Sequence, residues 1–320
     1  MATTTTKRKA SSTKKSTKTK AKKPATKSAK TSAAKPKTAS KRVTVVKAVS
    51  KDETKKMKTK KVRTTFDKLN IWNWVMAVLH AAQGVAVLLL SRSDGLFPVT
   101  TSFVTQDALA STEGAPVLVQ AQRSLFDVNL AYLVVAFFFL SSLAHLYIAS
   151  VGRKKYEAQL EKGMNKARWF EYSLSASIMM VAIAMLTGVS DLSTLVMVFG
   201  ATAVMNLLGL VMEVHNQTTT KTNWLSFNIG TLAGLGPWFV VGMYLFGINQ
   251  YGEGDVPSFV YWIFVSIFLF FSSFAINMLL QYKGVRKWKE YLYGERVYMI
   301  LSLVAKSALA WQIFAGTLRP

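Results

Sequence analysis

The sequence contains no cysteine. Disulfides, thiolate metal sites and cysteine nucleophiles are therefore excluded. Acidic residues are also scarce: 16 Asp and Glu stand against 40 Lys and Arg, a formal net charge of +24. The amino terminus lacks the apolar run of a cleaved secretory signal, so none is expected. No catalytic set and no metal-ligand set is expected either, and the chain does not read as an enzyme.

The charge that is present is unevenly placed. Residues 1–63 carry 23 Lys and Arg against only Asp52 and Glu53. The other 257 residues carry 17 Lys and Arg and 14 Asp and Glu, so they are nearly neutral. A basic tail is thus joined to a hydrophobic body. Segments such as Lys18-Thr-Lys-Ala-Lys-Lys-Pro-Ala-Thr-Lys27 offer too little apolar surface to offset ordering entropy. Residues 1–64 are expected to form a disordered, lysine-rich tail, and 65–320 a membrane domain. In composition the tail resembles the lysine-rich tails of linker histones. Anionic lipid is its expected partner, with nucleic acid as the alternative.

From Phe66 onward the chain divides into apolar stretches long enough to cross a bilayer, at about 66–91, 126–151, 163–189, 191–214, 223–247, 256–282 and 290–316. Trp72, Trp74, Trp169, Trp224, Tyr251, Trp288 and Tyr291 sit near their ends, as interfacial aromatics do. The expected class is an all-α membrane protein of seven helices. Loop charge sets its direction. The tail and the gaps after the second and sixth spans are basic; the gaps after the third and fifth hold only Asp191, and Glu253 with Asp255. The amino terminus is therefore expected in the cytoplasm and the carboxyl terminus outside.

The one long gap, Arg92 to Leu125, contains Pro98-Val-Thr-Thr-Ser-Phe-Val-Thr105 and Ala115-Pro-Val-Leu-Val-Gln120. These predict a small external β-hairpin, whose open edges suit a homodimer contact. Within the fifth span, Pro237 removes a backbone donor and is expected to kink the helix.

Few ionisable residues lie deep in the spans. Lys306 is a lone cation in the seventh, and burying it in lipid costs roughly 2.5–3.5 kcal/mol on the insertion scale. It must be paired, neutral or consumed by covalent chemistry. Glu171, in the third span, is the candidate partner. A salt bridge that fixes helix register is the bland reading, but buried ion pairs contribute little stability. The chemical reading is a Schiff base with its counterion. An amine in apolar surroundings gives up its proton readily and can attack an aldehyde. A nearby anion then holds the imine charged; at ~4 Å and an effective dielectric near 20 their attraction is about 4 kcal/mol. His80, His145 and Glu213 are the other candidates for a polar or proton network, although Glu213 sits near a span end and is expected to reach water.

Three long motifs resemble the heliorhodopsins, retinal proteins of inverted orientation. They are Arg168-Trp-Phe-Glu171-Tyr-Ser-Leu-Ser175, Phe268-Leu-Phe-Phe271-Ser-Ser-Phe274 with Gln281-Tyr-Lys-Gly284, and Gly294-Glu-Arg-Val-Tyr298 followed by Leu301-Ser-Leu-Val-Ala-Lys306. The likeness covers about residues 66–320. It implies that Lys306 binds all-trans-retinal, that Glu171 is the counterion, and that Ser175 and Ser302 lie near the Schiff base. His80 and His145 match the family's buried polar cluster, and Met179, Trp238 and Phe271 are expected to line the chromophore. The chain departs at Ala201-Thr202, where family members can carry asparagine. The tail lies outside the resemblance.

Two absences speak against a pump. Position 302, one turn before the lysine, is serine, and position 182, three turns after Glu171, is alanine, so a second carboxylate and a proton donor are missing. The expected function is a light sensor cycling through 13-cis retinal, with a passive light-gated proton channel as the alternative. The sequence names no signalling partner. Orientation is testable on intact cells: external protease should cut the 92–125 loop and spare the lysine-rich tail. Cleavage of the tail from outside would overturn the inverted orientation.

Overall fold

The computed structural model describes residues 51–252 and 256–320, with side chains from residue 65 onward. The described residues form eight α-helices and one hairpin. In chain order these are α1 Lys51–Leu90, β1 Leu96–Gln106, β2 Leu118–Asn129, α2 Leu130–Ala149, α3 Arg153–Glu161, α4 Lys166–Leu186, α5 Leu192–His215, α6 Leu225–Tyr251, α7 Ser258–Lys283 and α8 Tyr291–Ile313. All but α3 contain a stretch long and apolar enough to cross a membrane. A membrane helix needs about 20 residues at 1.5 Å each, and α2, the shortest of the seven, has 20.

Local signals set the helix ends. The side chains of Asn129, Asn165 and Asp191 accept hydrogen bonds from Ala131, Arg168 and Thr194 backbone amides, opening α2, α4 and α5. Gly284, at φ 60°, closes α7 in the left-handed conformation that glycine adopts without a Cβ clash.

The boundaries differ from expectation in three places. α1 begins at Lys51, within the segment expected to be a disordered tail; residues 1–50 of that segment lie outside the described residues. The second span starts at Leu130 rather than 126, because Phe126 to Asn129 continue β2. Between α2 and α4, where only a polar gap was expected, α3 turns Tyr156 and Leu160 inward at i,i+4 spacing and leaves its lysines exposed. In α6 the helix runs on through Pro237.

The hairpin is antiparallel and longer than predicted, running from Leu96 opposite Asn129 to Gln106 opposite Leu118, with a bulge between Val99 and Thr100. It is tied to the α4–α5 turn. The Thr100 amide donates to Ser190 O at 2.8 Å, and the Ser102 amide donates to Asp191 Oδ1 at 3.3 Å. Hydrogen bonds from the Ser193 hydroxyl and the Thr194 amide hold the Asp191 carboxyl below its usual range.

The main core joins α2, α4, α5, α6, α7 and α8 through Phe137, Ile183, Val198, Val241, Ile263 and Leu309, all buried. Close approach of α5 and α6 depends on Gly230: a Cβ there would stand 3.2 Å from Leu208 Cβ and 3.4 Å from Met205 O. The Gly230-Thr-Leu-Ala-Gly234 motif thus packs helices, as small residues do in membranes.

Candidate functional site

Lys306 lies on the buried face of α8 with Ser302 one turn before it, and Ala305 and Leu309 beside it. α4 carries Glu171 on a face shared with Arg168 and Ser175, three residues before and four after. Packing of α4 and α8 in the bundle brings Lys306 Nζ to 3.3 Å from Glu171 Oε1. The two side chains are only 4% and 8% exposed. The amine also donates to Ser302 Oγ at 2.9 Å and stands 5.2 Å from the Tyr172 ring centre. Ser141 of α2 donates to the same Glu171 oxygen at 2.6 Å. The predicted pair therefore exists, held by two serine hydroxyls. Ser175 is fully buried and its hydroxyl has no hydrogen-bond partner among the described residues.

A cavity of about 340 Å³ opens from Lys306 and Ser302 between α4, α5, α6, α7 and α8. That volume lies within the ~300–1,000 Å³ of small-molecule sites. Met179, Trp238 and Phe271, the residues expected to line a chromophore, line this cavity. Trp238 is braced edge-on by Phe264, Phe268 and Phe271, with ring centres 5.2–5.6 Å away. Asn206 also faces the cavity. Thr202, where an asparagine was looked for, turns its hydroxyl to Val198 O instead. The cavity thus acquires a carboxamide one turn further along α5, a residue the sequence reading missed.

These features fit retinal: a buried amine with an adjacent carboxylate, opening into an apolar chamber of suitable volume. Lys306 would hold the group, Glu171 would face its charged end, and Met179, Trp238 and Phe271 would flank it.

The two histidines meet beside this pair. Their rings stack 5.7 Å apart, and His145 Nδ1 shares a hydrogen bond of 2.8 Å with Asn73 Oδ1. His80 is fully buried, and neither ring nitrogen has a hydrogen-bond partner among the described residues.

Glu213 departs from expectation. It does not reach water: it is 1% exposed and belongs to a separate cluster. Arg168 forms ion pairs with both Glu213 and Glu295. Glu213 further accepts from the Asn165 amide and Trp169 Nε1, both at 2.8 Å, and from Tyr291 OH at 3.0 Å. Glu295 accepts from Asn165 Nδ2 at 2.7 Å and Tyr156 OH at 3.1 Å. Burial pushes the Tyr156 phenol well above its ordinary range, so it stays a donor there. A small cavity of about 20 Å³ lies between the two clusters, touched by Glu171, His145 and Asn73 on one side and Arg168 and Glu295 on the other.

Sequence reading missed the roles of Arg168 and Glu295. The rule that selected Lys306, an ionisable residue inside an apolar span, applies to both, but their nearness to span ends hid them. Asn165, Tyr156, Asn73 and Ser141 carry no such signal; only the tertiary fold reveals their partners. Arg168→Leu leaves two buried carboxylates facing each other without their cation. It should destabilise the protein by about 3–5 kcal/mol in thermal or denaturant melting, with Tyr156→Phe costing only about 1 kcal/mol. Equal, small losses in both variants would show that the cluster is not a buried ionic unit.

A family model described as Heliorhodopsin matches residues 69–318. No curated protein matches the chain. Among solved structures the chain is similar to a light-driven proton pump from Leptosphaeria maculans, at 14% identity and a TM-score of 0.46, covering 77% of this chain and 92% of that one.

Proposed function

The chain belongs to the heliorhodopsin family, and from that premise we propose that it is a light sensor in which Lys306 carries all-trans-retinal as a protonated Schiff base and Glu171 is the counterion. It is an integral, multi-pass membrane protein of the rhodopsin type. The observation that carries the finer reading is the Lys306–Glu171 contact of 3.3 Å at the mouth of the apolar cavity. Bound retinal supplies visible absorption and an all-trans to 13-cis isomerisation. The chain supplies the rest. Glu171 stabilises positive charge at the lysine nitrogen, Ser141 and Ser302 fix the geometry of anion and amine, and the bulky lining excludes water. A fixed dipole and charge arrangement of this kind costs no reorganisation when the charge moves.

Sensing is preferred over pumping because position 302 is a serine and position 182 a fully buried alanine. The second reading is a passive, light-gated proton path. It draws on the small cavity that touches both Glu171 and the Arg168 cluster. In either case the protein is not an enzyme, and its amino terminus faces the cytoplasm. A homodimer through the hairpin belongs to the same proposal, supported by the exposed Phe103, Val104, Leu118 and Phe126. A monomeric mass in mild detergent would remove it.

One preparation tests these points. In retinal-loaded protein, Glu171→Gln should red-shift the visible band, or convert it to a near-ultraviolet form where the nitrogen loses its proton. Unchanged absorption across a pH titration would move the counterion elsewhere. Voltage-clamped cells should show no photocurrent if the protein is a sensor. A current that reverses with the proton gradient would establish the channel, and one that persists against an opposing gradient would refute the exclusion of pumping.

A further inference from the structure

The turn between α7 and α8 concentrates positive charge on a short, ordered backbone. Lys283, Arg286, Lys287 and Lys289 all lie within it and are all exposed, with Glu290 the one carboxylate beside them. None of the four cations forms an ion pair among the described residues. The backbone that presents them is built rather than loose. Gly284 closes α7, Arg286 follows at φ 49°, and Arg286–Lys289 form a single 3₁₀ turn. A positive φ is uncommon for arginine and persists only where the surroundings impose it.

Trp288 pins the turn from below. Its indole Nε1 donates to Asn277 Oδ1 at 2.7 Å, and its ring meets Tyr293 edge-on at 5.0 Å. Asn277 in turn donates to Gly294 O, and Gln281 donates to Tyr291 O, so α7 and α8 are laced together beneath the cations. The turn joins two membrane-spanning segments directly, 258–283 and 291–318, which places it at headgroup depth. Clusters of four or more Lys and Arg immediately outside a membrane helix suit multiply charged lipid headgroups. Arginine adds bidentate hydrogen bonding to phosphate, and the lysines add compact point charges.

We propose that this rigid basic turn, Lys283 to Lys289, is a docking site for a multiply phosphorylated phosphoinositide headgroup in the adjoining leaflet. Four cations on one fixed turn match a ligand with several phosphates in one headgroup better than they match dispersed, singly charged lipids. None of these residues lines the apolar cavity at Lys306.

The absence of native cysteine allows a clean test on the full chain. A spin label at Val285→Cys, within the turn, is observed in nanodiscs of zwitterionic lipid alone. It is compared with nanodiscs containing phosphatidylinositol bisphosphate, or phosphatidylserine at the same total charge. The label should lose its fast motional component only with the bisphosphate. Lys283→Gln, Arg286→Gln, Lys287→Gln and Lys289→Gln together should restore it, although the tail remains. Should that variant lose helical circular dichroism, Arg286→Gln with Lys287→Gln serves the same comparison, since these exposed side chains form no ion pair among the described residues. An equal response to phosphatidylserine would overturn the proposal, as would immobilisation that survives neutralisation. So would immobilisation by a soluble polyglutamate peptide in zwitterionic nanodiscs, which would favour an acidic protein partner. The readout does not depend on retinal.

Discussion

A lysine and a glutamate facing each other inside an apolar bundle constrain everything around them. Neither charge is tolerable there alone, and the cost of removing both from water is several kcal/mol per ion before their attraction is counted. The bundle answers with geometry. Ser302 and Ser141 hold the amine and the carboxylate at their second positions, and Tyr172 offers the amine a ring face. The apolar cavity begins on the lysine side of the pair. Its placement gives the lysine nitrogen an anion on one side and an apolar cavity on the other.

A second buried charge centre lies on the same helix, one turn closer to the amino end of α4. Arg168 is shared by Glu213 and Glu295, and Asn165, Trp169, Tyr156 and Tyr291 donate further hydrogen bonds to the two carboxylates. α4 therefore carries a cation and an anion three residues apart on one face, each paired with residues of other helices. The histidine pair and the small cavity sit between these centres. The residues of this cluster come from α3, α4, α5 and α8, so it ties these four helices together. The hairpin at the other end is fixed to α5 through Thr100 and Asp191, so the bundle is braced at both faces.

Much of this was readable from the chain. Seven apolar stretches, and Lys306 as an isolated cation in the last, follow from residue type and length alone. Glu171 stands out because few carboxylates lie deep in the spans, while Trp238, Met179 and Phe271 follow only from what the resemblance to a family implies. Helix ends were less legible where β2 runs straight into α2, since Phe126 and Val128 look equally apolar in strand and helix. α3 was hidden by its lysines, whose charge outweighs Tyr156 and Leu160 in any hydropathy reading. Glu213 was misplaced because a carboxylate near a span end looks solvated until Arg168 is found opposite it. Asn206 was missed because attention fell on Thr202, and only the helix rotation shows which of the two faces the cavity.

The central claim is that Lys306, and no other lysine, holds the chromophore. Its most direct test is chemical: retinal-loaded protein is reduced with borohydride, digested, and its peptides weighed. The expected result is a retinyl mass on the peptide containing Lys306, and on no peptide from the tail or the basic turn. A retinyl group on another lysine, or none on the Lys306 peptide of protein that absorbs visible light, would contradict the account.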